Sequence, residues 1–216
     1  MEDNMVDNRR EDKTIKDFQI PLQENIGWVL LAIHSVHVMN HDEVEVRDIE
    51  VNIRKDDHLL LAWPNGIWKS TLLEKIVSWD EEGCTLTEWV KIGYYRQDFS
   101  NLDFDQTVYE CLRETAPEEI WEQDLRSKAA WFLITWDVMK TRIWDLSEWQ
   151  KWLVAFCRLV FLQPWILILD EPTNHINFRH IPVIAKALDE FEGWMILVSH
   201  VDEFVWQIRI DQYLDL

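Results

Sequence analysis

Two adjacent carboxylates, Asp170 and Glu171, end the apolar run Ile166-Leu167-Ile168-Leu169. A buried strand ending this way delivers one carboxylate to a hard divalent cation. Its neighbour is left able to polarise a water for attack on phosphorus. His200 stands 29 residues after Glu171, at the end of the apolar run Met195–Ser199. Ser147 lies 23 residues before Asp170, within Leu146-Ser147-Glu148-Trp149-Gln150, and Gln97 lies 28 residues after Lys69, just past Ile92–Tyr95. Taken singly, a Gln or a His at a strand end is an ordinary polar surface residue. Their order and spacing against the Asp170-Glu171 pair make them a set.

Lys69 belongs to Ala62-Trp63-Pro64-Asn65-Gly66-Ile67-Trp68-Lys69-Ser70-Thr71. A phosphate loop requires G-x-x-x-x-G-K-[S/T] between a strand and a helix, so that consecutive backbone N–H groups and the helix end wrap an anion. Lys69 would then reach the β- and γ-phosphates, and the Ser70 hydroxyl would hold Mg²⁺. Trp63 and Trp68 fill the two glycine positions of that pattern. Where such a position needs left-handed backbone, a non-glycine residue costs about 1–2 kcal/mol.

The elements that must position these groups follow from the pattern of the chain. Val29–Val38 and Val44–Ile53 are β-rich, Leu59–Ala62 is a short strand into the loop, and a helix is expected from near Lys69. Val90–Arg96 is another strand, and residues 106 to 143 carry Glu, Leu, Ala and Trp at helical spacing. Ser147 is an N-cap candidate for a helix running to Leu162. Strand Trp165–Leu169, helix Ile181–Phe191, strand Met195–Ser199, short helix Asp202–Trp206 and strand-like Ile208–Leu216 complete the alternation. Such alternation indicates a layered α/β domain with a parallel core sheet.

Composition narrows the class. The chain has 216 residues, of which 48% are hydrophobic, enough for a sizeable core. No run approaches the ~20 apolar residues that cross a bilayer. The best, Trp152–Leu162, contains Arg158. Met1–Lys13 is charged, which excludes the apolar core of a secretory signal. Cys84, Cys111 and Cys157 are too dispersed for a disulfide framework or a Cys-x-x-Cys metal site, so a cytoplasmic location with reduced thiols is expected. A formal charge of -19 repels nucleic-acid phosphates at long range. Usage near 7% predicts roughly 15 glycines. The chain has five, against 14 tryptophans.

The ordered set of phosphate loop, Gln97, Ser147 segment, Asp170-Glu171 strand and His200 resembles the ABC ATPase family over residues 28 to 206. The stretch Leu167 to Ile176, LILDEPTNHI, carries most of the specificity. Its Asn174-His175 is the form typical of ABC-F proteins, which act on translating ribosomes. The segment from Asp12 to Pro21 is similar to the end of the linker before the second cassette of such a protein. The resemblance implies an α/β, P-loop NTPase ABC-type nucleotide-binding domain with an antiparallel β subdomain and a helical subdomain. It implies a linker-like segment at residues 1–26 and the ATP-binding domain at 27–216, its helical lobe at about 106–145. ATP and Mg²⁺ are the implied cofactors. Asn65, Gly66, Ile67, Lys69, Ser70, Thr71, Ser147 and Gln150 would bind nucleotide, and Ser70, Gln97 and Asp170 would surround the metal. Glu171 would be the catalytic carboxylate, His200 the γ-phosphate sensor, and Gln97 the link from Mg²⁺ and the attacking water to the lobe. The implied partner is a second ABC cassette, as a homodimer or as the first cassette of a parent protein. Ribosome contact would come through that parent, without membrane insertion.

The departures are concentrated. Glu148 and Trp149 replace both glycines of the L-S-G-G-[Q/E] signature, Asn177 replaces an Asp, and Trp89, Trp144 and Trp194 stand where glycine is common in relatives. Two other readings follow. One is the ATP-binding subunit of an ABC transporter, which the T-N-H sequence disfavours. The other is an engineered scaffold that retains the fold without binding nucleotide, favoured by Trp63 and Trp68.

Overall fold

The computed structural model describes residues 14–24, 31–40, 43–53, 56–62, 90–174 and 176–215. The expected phosphate loop and its following helix lie outside these residues, as does His175. Strands β1 (Leu31–Asn40) and β2 (Glu43–Ile53) pair antiparallel, with an irregularity between Ile33 and Ser35. The second sheet joins β3 (His58–Ala62), β4 (Ile92–Tyr95), β5 (Ile166–Asp170), β6 (Trp194–Val198) and β7 (Gln212–Asp215). All four of its pairings are parallel, in the order β4-β5-β6-β3-β7.

The two strands at its centre explain themselves. Every residue of β5, ILILD, and of β6, WMILV, is buried. Strands covered on both faces read as continuous apolar runs rather than alternating ones. One of the few glycines stands where nothing larger fits. A Cβ on Gly193 would lie 2.6 Å from the Trp165 carbonyl oxygen and 2.5 Å from the Phe191 ring.

Three helices fall within the expected lobe region: α1 (Val108–Thr115), α2 (Glu122–Trp131) and α3 (Trp136–Met139). Thr107 opens α1 with a capping box: its hydroxyl accepts the Glu110 N–H, and the Glu110 carboxylate accepts the Thr107 N–H. That hydrogen bonding holds the Glu110 carboxyl below its ordinary range. Helix α4 (Glu148–Leu162) is the hub, burying nine residues from Trp152 to Phe161 against the sheet and the lobe. It ends at Gln163, whose φ of 53° lies in the left-handed region, and Pro164 follows. Helix α5 (Ile181–Asp189) buries Ile184, Ala185, Ala187 and Leu188, and α6 (Asp202–Val205) buries Phe204.

The first described segment packs into the core. Residues 14–24 have no regular secondary structure, yet Ile15, Phe18 and Ile20 belong to the core. The Lys16 N–H donates to the Trp131 carbonyl at 3.0 Å, and the rings of Phe18 and Phe132 lie 4.7 Å apart. On the other side the Lys186 ammonium reaches the Asp17 carboxylate at 2.8 Å. The segment therefore straps α2 to α5.

Candidate functional site

Because the core strands are parallel, their C-terminal ends share one edge, the usual place for ligands in open α/β sheets. Tyr95 pairs with Leu169, so Gln97 follows β4 beside the end of β5. Asp170 pairs with Val198, two residues before His200. Leu60 pairs with Leu197, which puts Ala62 level with Ser199. Gln97, Asp170, Glu171, His200 and the entrance to the phosphate-loop sequence thus gather along one edge. Asn65, Gly66, Ile67, Lys69, Ser70 and Thr71 lie outside the described residues.

Asp170 and Glu171 are buried, while Gln97 and His200 are exposed. The Glu171 backbone N–H donates to the Val198 carbonyl at 2.9 Å, extending the β5–β6 ladder by one bond. Glu171 then turns with a φ of 49°, a left-handed value unusual for glutamate. One carboxylate oxygen lies 3.1 Å from His200 Nε2, and the other accepts the His200 backbone N–H at 3.4 Å. The carboxylate is so held on two sides by the end of β6. Such a pair can orient a water and sense an anion beside it.

Asp170 supplies a hard oxygen donor. Mg²⁺ is commonly held by one or two carboxylates together with phosphates and waters, and Asp170 fits that donor class. Tyr95, buried next to it, was not singled out in the sequence. Burial and the Asp170 charge both push its phenol well above the usual range, so it stays neutral. The pattern that could have revealed it is its place directly before Arg96 and Gln97, at the end of β4.

Ser147 caps α4 as its sequence predicts. Its hydroxyl accepts the Gln150 N–H at 3.3 Å, and the Gln150 side-chain oxygen accepts the Ser147 N–H at 3.0 Å. Both side chains proposed for nucleotide contact are therefore engaged in a capping box here. Trp149, which the resemblance places at a signature glycine position, is half-buried. Its ring stacks on Trp152 at 5.3 Å and on His180 at 4.6 Å. Trp152 was also unmarked in the sequence, although its spacing of three from Trp149 places both on one helix face. Its indole N–H donates to the Pro172 carbonyl at 2.9 Å. His58 is fully buried, with its ring nitrogens 2.9 and 3.0 Å from the Arg209 and Phe191 carbonyl oxygens.

The profile of the family described as ABC transporter matches residues 46–174. The chain belongs to the ABC family. It is an ABC ATP-binding domain of α/β fold, and its homologues include proteins named as ABC-F members. The ATP-binding cassette sub-family F member 2 of Mus musculus is 34% identical over 165 residues, covering 74% of this chain and 26% of that protein. The probable ATP-binding protein YbiT of Escherichia coli O157:H7 is 33% identical over 163 residues, covering 74% of this chain and 31% of that protein. The chain spans less than a third of the length of either relative. In fold it resembles a dimeric bacterial ABC transporter cassette, with a TM-score of 0.66 and 20% identity over 87% of this chain and 94% of that one. No helix among the described residues is long and apolar enough to cross a membrane.

Proposed function

We propose that this ABC domain binds ATP with Mg²⁺ along the C-terminal edge of its parallel sheet and hydrolyses it. The observation that carries this reading is the held pair of Glu171 and His200 beside Asp170. Glu171 orients the attacking water, His200 senses the γ-phosphate, and Gln97 ties the edge to the helical lobe. Asp170, Gln97 and Ser70 hold Mg²⁺, which neutralises charge on the phosphates. Asn65, Gly66, Ile67, Lys69 and Thr71 line the phosphate loop, while Ser147 and Gln150 face the nucleotide of a second cassette. That second cassette is another copy or the first cassette of a longer parent, a reading supported by the dimeric form of the similar bacterial cassette. The ABC-F names among the relatives support a role in translation through that parent, in the cytoplasm.

A second reading has a specific observation behind it. Trp63 and Trp68 occupy the glycine positions of the loop, and a chain that keeps the fold but has lost nucleotide would look the same elsewhere. Calorimetry of the purified chain with Mg-ATP, alongside Trp68→Gly, separates the two. Binding by either chain, lost on Lys69→Ala, supports an ATP site. Failure of both, with the fold intact, assigns the domain to a scaffold role.

A further inference from the structure

Four aromatic rings run through the molecule from the start of α4 to the end of β4. Trp149 stacks on Trp152 at 5.3 Å, and Trp152 on Phe156 at 4.0 Å with ring planes 20° apart. Phe156 meets Tyr95 at 5.3 Å, next to Asp170. Positions 149, 152 and 156 fall on one face of the helix by the spacing of three and four. A buried indole N–H needs an acceptor. Trp152 is fully buried and finds it in the Pro172 carbonyl at 2.9 Å, across 20 residues of sequence.

That carbonyl belongs to the residue after Glu171. A non-glycine residue holds a left-handed backbone only where its surroundings over-determine it. On one side Glu171 is fixed by its N–H bond to Val198, and its own carbonyl accepts the Asn174 N–H at 3.1 Å. Pro172 has no N–H to contribute, but its carbonyl, next to the left-handed residue, is a backbone handle on the turn, and a side chain of α4 grips it.

We propose that Trp152 is a positioning residue for Glu171, fixing the left-handed turn through Pro172 and linking the Ser147 end of α4 to the Glu171–His200 pair. Trp152 is carried on the backbone of α4, so a displacement of the start of α4 is passed to the Pro172 carbonyl through the indole hydrogen bond. What binds at Ser147 is thereby felt at Glu171 of the same chain. The kinetic side of this proposal rests on the ATPase reading above, and its structural side does not.

Trp152→Phe keeps a ring in the stack and removes the donor. Phe156→Leu is the control, since it damages the same stack and leaves the donor in place. Amide exchange of the folded chain, resolved by residue, is the first measurement. In Trp152→Phe the Glu171 and Asn174 amides should exchange about five- to tenfold faster, the size expected for one lost neutral hydrogen bond, while Leu167 and Leu169 keep their rates. In Phe156→Leu all four should shift by a common factor. Equal acceleration throughout β5 in Trp152→Phe, or the same local pattern in Phe156→Leu, overturns the proposal. Should Trp152→Phe not fold, the wild-type chain decides: the Trp152 indole N–H and the Asn174 amide should open with one rate, and unlinked rates overturn the idea. The second measurement is turnover, where kcat should fall with KM unchanged, and a raised KM with kcat kept counts against it. A parent chain without turnover would sink the ATPase reading and leave the amides to judge Trp152.

Discussion

His200 meets both oxygens of Glu171, one through its ring nitrogen at 3.1 Å and the other through its own backbone N–H at 3.4 Å. The ring contact depends on the histidine side chain and the backbone contact does not. His200→Ala should therefore leave the Glu171 carboxylate anchored on one side while removing the imidazole from the edge of the site. In a chain with glycine placed at 63 and 68, Glu171→Gln should lower kcat about 10²–10⁴-fold, the usual contribution of a positioned acid–base group. Nucleotide affinity should be kept. Phosphate release and equilibrium binding read the two separately, and unchanged kcat would remove Glu171 from the chemistry.

Trp149 contributes to stability by folding back, since its ring lies against Trp152 and His180. Replacing it by glycine removes a half-buried aromatic and adds a flexible residue to the first turn of α4. The expected cost is about 2 kcal/mol, or a fall in Tm of roughly 4–8 °C for a chain of this size. Scanning calorimetry checks it. A neutral or stabilising effect would mean that the stack adds little and that the side chain is free to face a partner cassette.

His180 supplies a pH dependence with a definite sign. Burial, and then the neighbouring Arg179 charge, lower its affinity for a proton below the ordinary 6.5. The unfolded chain binds that proton more readily, so the contribution of His180 is present above pH 6.5 and is lost as pH falls through the depressed folded value. Melting temperatures should fall from pH 7.5 to pH 5.5 more steeply in the wild type than in His180→Gln. Parallel slopes would exclude His180 as a source.

Gln163 and Gly193 should respond in opposite directions to exchanging side chains. Gln163 closes α4 with φ 53°, so Gln163→Gly should raise stability by about 1 kcal/mol. Gly193→Ala places a Cβ 2.6 Å from a backbone oxygen, and a clash of this kind costs about 1–3 kcal/mol. Urea unfolding of both variants measures the pair, and a stabilised alanine variant would contradict the packing described.

The strands that carry Asp170 and His200 are legible because fully buried parallel strands leave uninterrupted apolar runs, and the site residues sit where those runs stop. Expected Trp165–Leu169 and Met195–Ser199 become Ile166–Asp170 and Trp194–Val198, each displaced by one residue at its ends. Ser147 is legible as a cap because Gln150 stands three positions on. The path of Trp149 is not. A helix wheel gives its face, whereas the partner on that face, His180, comes from a distant turn. Ile15, Phe18 and Ile20 are equally opaque, since an irregular segment imposes no periodicity on its apolar residues. The left-handed position of the turn is filled by Glu171 itself, neither glycine nor asparagine, so the sequence does not announce it.

The strap at residues 14–24 has a consequence for synthesis. It is among the first parts of this sequence to be made, yet Asp17 is held by Lys186, 169 residues later, and Leu22 lies against Gly193. Its apolar residues cannot find their native cover until most of the sequence has been translated. At about 5–20 residues per second, Asp17 and Leu22 wait roughly ten to thirty seconds for those partners. The strap waits for distant segments to be made, and during that interval its apolar side chains lack part of their native cover.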